Sequence, residues 1–206
     1  AIENLYTSFD GVNEPFIYTK SKVVEIDGLP ILFVPWICDD NREHSMQMLN
    51  TAKAEIVMGH LEIKGIEMQN GVINEHGNSK SDFSRFERVI SGHFHKHTDD
   101  GQIMYCGAQY EMTWSDYKDP KGFHIFDTET REITRIRNPY TIHKKLIYND
   151  KDKDYTTMDL SEYNNHFIKL IVLNKTNEDM FDRFLERLYN EITTHDLNII
   201  EDFSDI

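Results

Sequence analysis

Arg88-Val89-Ile90-Ser91-Gly92-His93-Phe94-His95 is the stretch from which the rest of the sequence is read. Val89 and Ile90 have the character of the end of a buried strand, Gly92 permits a sharp turn, and His93 and His95 follow two residues apart. In extended backbone that spacing turns both imidazoles to one side. Each neutral imidazole offers a nitrogen lone pair without adding charge, which suits a transition metal. Toward the N-terminus, Glu55-Ile56-Val57-Met58 runs into a second Gly-His pair, Gly59-His60. Parallel strands ending together would bring these histidines into one crevice at the carboxyl edge of a sheet. A lone histidine is most often held by a structural hydrogen bond. His44, His76, His97, His124, His143, His166 and His195 are therefore read as structural, and His60, His93 and His95 are set apart.

The 206 residues are enough for one large domain or one and a half. With 22 Lys and Arg against 36 Asp and Glu, the net charge is −14, which opposes a general electrostatic grip on nucleic acid. Bound metal ions or a local basic patch can still reverse the field at one site. Cys38 and Cys106 are too few for a disulfide framework and read as small buried residues near strand ends. There is neither a signal-peptide pattern nor an apolar run near the roughly 20 residues that span a bilayer, so a cytoplasmic protein without membrane contact is expected.

Working outward, Val23 to Glu25 and Ile31 to Val34 form a strand pair around Asp27-Gly28, a hairpin signal weakened by Pro30. Asp39, Asp40 or Asn41 caps a helix carrying Met46, Met48 and Leu49. Leu61 to Arg85 is mostly loop, and Phe83, Phe86 and Val89 form the apolar side of a short helix. Strands are predicted over Gln102 to Cys106, Gly122 to Asp127 and Glu132 to Arg137, the last two as an antiparallel hairpin. The charge-alternating run Asn149 to Asp154 is the linker candidate. Beyond it, Phe167 to Leu173, a helix over Asn177 to Thr194, and Leu197 to Ile200 make a βαβ unit with parallel strands. The expected domains are residues 1–148, a linker over 149–159, and 160–206. Residues 1–19 carry little periodicity and no initiator Met, which suggests a segment of something longer.

Gly59-His60 followed by Gly92-His93-Phe94-His95 resembles the last two motifs of the calcineurin-like metallophosphoesterases. Val34-Pro35-Trp36, Tyr105-Cys106-Gly107-Ala108 and Pro120-Lys121-Gly122-Phe123 narrow the resemblance to the SbcD-type nucleases of recombination and double-strand-break repair, phage recombination endonuclease subunits among them. The resemblance covers most of residues 23–138. It implies an α/β (α+β) fold: part of a metallophosphoesterase β-sandwich with flanking helices, followed by a small βαβ capping domain. It also implies two-metal phosphodiester hydrolysis, commonly with manganese, in which His60 and His93 hold one ion and His95 the other. The family's Asp-x-His, Gly-Asp and Gly-Asn-His-Asp motifs do not occur here, so the sequence resembles the C-terminal portion of such an enzyme. Alone, it is expected to hold at most one weakly bound ion and to show little or no activity. Family members act on DNA with a coiled-coil SbcC-type ATPase subunit.

Basic residues suggest where DNA phosphates would be met. Lys96 and His97 directly follow the histidine motif, Arg135 and Arg137 share one side of a strand, and Lys64 is a weaker candidate. Two other readings remain open at this stage: a metallophosphoesterase acting on a nucleotide or phosphoprotein, and a non-catalytic binding or assembly module. An uncovered sheet edge would favour self-association.

Overall fold

The computed structural model describes residues 17–69, 71–151 and 153–201. They divide into two compact units. One contains residues up to Gln109 together with Pro120–Arg137, and the other contains Tyr110–Asp119 together with the residues from Asn138 onward.

The first unit is built on a six-stranded sheet. Its strands are β1 (Lys22–Ile26), β2 (Leu29–Val34), β3 (Ile56–Gly59), β6 (Arg88–Ser91), β7 (Thr98–Asp99) and β8 (Ile103–Tyr105), in the order β1-β2-β3-β6-β8-β7. The four central strands are mutually parallel, and β1 and β7 close the edges antiparallel. Central parallel strands are covered on both faces and so read as continuous apolar runs. Leu32, Val34, Val57, Val89, Ile103 and Tyr105 face one side and pack with Leu49 of helix α1 (Arg42–Thr51) and with Phe83 and Phe86. Leu29, Ile31 and Ile56 face the other side, with Phe126 packed on them.

Phe126 belongs to the predicted hairpin, formed by β9 (Gly122–Phe126) and β10 (Ile133–Arg137). Asp127 starts its turn by accepting from the Glu129 and Thr130 amides. The β1–β2 hairpin also forms as read, with Asp27 and Gly28 both at positive φ and Pro30 opposite Glu25.

The Leu61 to Arg85 region is mostly loop, as read, with a small hairpin of β4 (Glu67–Gln69) and β5 (Val72–Ile73) inside it. Two readings need correction. The helix expected over Phe83, Phe86 and Val89 is only a 3₁₀ turn at Lys80–Phe83, with Val89 already inside β6. Cys38 is exposed because it lies in the loop after β2, beyond the strand end that would have buried it. The reading of residues 1–19 falls mostly on positions outside the described residues.

The second unit contains the predicted βαβ tail: β12 (Phe167–Asn174), α2 (Glu178–Glu191) and β13 (Asp196–Glu201), with the strands parallel. The Asn177 side chain caps α2 by accepting from the Met180 amide. Phe181, Phe184 and Leu188 of the helix pack on Ile168, Leu170 and Val172. The sheet has a third strand, β11 (His143–Asn149), paired parallel to β12. The unit's longer segment therefore begins at Asn138, ahead of the boundary at 148 expected from the sequence, and the run over 149–159 lies inside it. Asp150 shows why that run is polar: its carboxylate accepts from the Thr176 and Asn177 amides ahead of α2.

Among the described residues, no helix is long and apolar enough to cross a membrane.

Candidate metal centre

The site lies where β2, β3 and β6 end together. Gly59 pairs with Ser91 across β3 and β6. Just beyond, the Gly92 amide donates to the Gly59 carbonyl at 3.0 Å and the His60 amide donates to the Val34 carbonyl at 3.3 Å. Gly59 is required by close approach, and Gly92 leaves the His60 ring room to lie close. A Cβ on Gly59 would meet the Val34 carbonyl oxygen at 2.4 Å, and one on Gly92 would meet His60 Nδ1 at 3.1 Å. The Gly-His motif thus has a steric origin: each glycine lets a neighbouring strand or imidazole come close.

His93 adopts φ +93°, a conformation unusual for a side-chain-bearing residue and one associated with functional sites. Its Nδ1 lies 3.3 Å from His60 Nε2. The Trp36 ring lies 4.8 Å from the His93 ring and 5.9 Å from the His60 ring. Asn41 holds the loop that carries Trp36, donating to the Trp36 carbonyl and accepting from the Cys38 amide. Partial burial, then the facing His93, hold the His60 imidazole below the ordinary histidine range.

Beneath the pair, Ser91 Oγ accepts from the Leu61 amide, while the Tyr105 hydroxyl donates to the Leu61 carbonyl at 2.9 Å and accepts from the Ile63 amide at 3.1 Å. Burial pushes the Tyr105 phenol far up, so it stays a neutral donor. Phe94 stacks on Tyr105 at 4.7 Å and also touches the His93 ring. These contacts fix the segment that starts at His60.

The donor set of this pair fits one transition-metal ion. Two imidazole nitrogens each about 2.1 Å from a tetrahedral ion would be separated by about 3.4 Å, close to the 3.3 Å observed. The pair is incomplete as a centre, because no group of three or more His, Cys, Asp or Glu suited to a metal is assembled among the described residues. The structure thus brings His60 and His93 together without assembling His95 with them into such a group. The His95 backbone carbonyl accepts from the buried Lys121 Nζ and from the Ala108 amide, which ties the motif loop to the Pro120-Lys121-Gly122-Phe123 stretch.

No family model matches the chain. It is 30% identical over 177 residues to exonuclease subunit 1 of Enterobacteria phage T4, a match covering 85% of this chain and 51% of that protein. It is 26% identical over 95 residues to the SbcD subunit of the nuclease SbcCD from Staphylococcus saprophyticus, covering 43% of this chain and 25% of that protein. The chain is a homologue of SbcD-type nuclease subunits. It spans about half the length of the phage relative, which fits a sequence corresponding to one portion of such a subunit.

Among the basic candidates of this SbcD-like chain, His97 and Arg135 line one cleft. Lys96 forms an ion pair with Glu67 at 2.6 Å. His97 donates from Nδ1 to the Tyr105 carbonyl, the only partner role a carbonyl allows it. Arg135 donates to the Pro120 carbonyl, and Arg137 is exposed at the end of β10. Lys64 is exposed. Sequence reasoning assigned no site role to Trp36, although Val34-Pro35-Trp36 was already part of the family pattern. It also missed the supports from Tyr105 and Ser91, which are distant from the histidines in sequence.

Proposed function

We propose that this sequence carries part of the metal centre of a nuclease that hydrolyses DNA phosphodiesters in recombination or double-strand-break repair. The observation that carries the reading is the His60–His93 pair, held 3.3 Å apart at the ends of adjacent parallel strands. Similarity to an exonuclease subunit and a nuclease subunit supports the substrate class. His60 and His93 bind one divalent ion and His95 contributes to a second. Divalent ions held there, manganese foremost, supply Lewis-acid polarisation of the scissile phosphate and activation of water.

The chain's own residues prepare the ligands. Trp36 limits the swing of both imidazoles, and the Tyr105–Leu61–Ile63 contacts keep His60 against Gly92. Two neutral imidazoles offset none of the charge of two dications, so carboxylate donors beyond this pair are needed for the complete centre. The chain alone therefore holds at most one weak ion and cleaves little or no DNA. The subunit names of both relatives support a partner subunit, and the partner we propose is a coiled-coil ATPase.

Calorimetric titration of manganese tests this reading on the chain, its His93→Ala variant, and the full-length protein with and without the same substitution. The expected result is one weak ion on the chain, lost in the variant, and two ions with DNA cleavage in the full-length protein, abolished by His93→Ala. Undiminished cleavage after His93→Ala would overturn the assignment.

A further inference from the structure

A second cleft in the first unit, of about 370 Å³, is lined by Arg88, His97, Asp99, His124, Arg131 and Arg135 among others. Its floor includes Ile56 and Arg88, the first residues of β3 and β6. His60 and His93 lie past the other ends of those strands, four residues or about 13 Å of strand away. The cleft's charges are unevenly committed. Arg88 takes both carboxylate oxygens of Asp99, and Arg131 bridges Glu55 and Glu87. Arg135 makes no ion pair with a carboxylate among the described residues and spends one donor on the Pro120 carbonyl. A guanidinium has five donors.

Beside it, His124 stacks on His97 with ring centroids 4.8 Å apart, and both His124 ring nitrogens are shielded from water without a hydrogen-bond partner. A shielded, unpaired polar group is costly and calls for a partner. A cation fits poorly, since Arg135 lies close enough to His124 to weigh on its charge. An anion would satisfy both groups.

We propose that this cleft is an anion site that takes a phosphate group, with Arg135 and a small rotation of His124 supplying the donors. Its volume admits a phosphomonoester the size of a mononucleotide. The phosphate could belong to a free small molecule or to the end of a DNA strand. The site stands apart from the metal reading, and either can fail without the other.

The test is calorimetry on the chain with excess chelator, so that no metal ion contributes. Inorganic phosphate, a deoxynucleoside 5′-monophosphate, and oligonucleotides bearing a 5′-phosphate or a 5′-hydroxyl are titrated separately, with chloride at matched ionic strength as control. Phosphate or the monophosphate is expected to bind, at least tenfold more weakly in Arg135→Gln and in His124→Phe, and equally well in His93→Ala. Circular dichroism establishes that each variant is folded. Tighter binding of the 5′-phosphorylated oligonucleotide than of its hydroxyl counterpart would assign the phosphate to a DNA end, and binding of the small molecules alone would assign it to them. Absence of binding by every phosphate probe, the same response to chloride, or unchanged affinity in folded Arg135→Gln would overturn the proposal.

Discussion

The two Gly-His pairs look alike in sequence, yet their glycines meet different neighbours. A methyl group on Gly59 runs into backbone, the Val34 carbonyl, which cannot move without disturbing β2. Gly59→Ala should therefore cost about 1–3 kcal/mol, typical of overpacking, seen as an earlier urea midpoint. On Gly92 the same methyl meets the edge of the His60 ring, which can yield by a few tenths of an ångström. Gly92→Ala should leave the urea midpoint nearly unchanged while weakening manganese binding. Equal loss of stability in the two variants would contradict this distinction. His60 and His93 were legible in the sequence because strand, glycine and histidine recur together. Trp36 was less so: its approach to both rings depends on how the β2 end lies against the β3 and β6 ends, a through-space relation with no local signature.

The β9–β10 ribbon covers part of the sheet with Phe126 and exposes Phe123, Ile125 and Ile136 on its outer side. His124 lies on the inner side between those apolar residues, where burial, then His97 and Arg135, lower its affinity for a proton, with Asp99 opposing weakly. Arg88, Arg131 and Glu87, the other charged residues of the cleft, are paired as described above. A histidine whose folded pKa lies below its unfolded value binds more protons when unfolded. Its contribution is intact above pH 6.5 and is lost as the pH falls below that value. Urea midpoints measured from pH 7.5 down to 5 should therefore fall less in His124→Phe than in the parent chain. Parallel curves would show that His124 does not titrate as described. The ribbon was legible because its strands alternate and a polar turn joins them. β4, β5 and β7, of two or three residues each, are too short to carry a period and have no counterpart in the sequence reading.

Across the whole molecule the hardest feature to read was the partition into units. The polar run over 149–159 has the composition of a linker, but three of its carboxylates are occupied in turns and caps: Asp150 ahead of α2, Asp154 on Thr156, Asp159 on Ser161. The residue that organises the second unit's start is Glu111, buried to 4% exposure in a segment the sequence reading left unassigned. Its carboxylate accepts from the Ile142 and His143 amides at 2.8 and 2.9 Å and from the Lys118 amide at 3.2 Å. Glu111→Ala strands those amides and should cost about 3 kcal/mol. Hydrogen exchange would show it as lost protection at β11, and unchanged protection there would count against the role. Tyr110–Asp119 joins the second unit before the chain returns to complete the first with Pro120–Arg137. Synthesis on the ribosome runs in one direction, so Glu111 emerges 31 residues ahead of Ile142. At cellular elongation speeds that is roughly two to six seconds. During that interval the nascent chain carries a carboxylate without its Ile142 and His143 amides, and holding Tyr110–Asp119 open until β11 arrives becomes a timing requirement on how this protein is made.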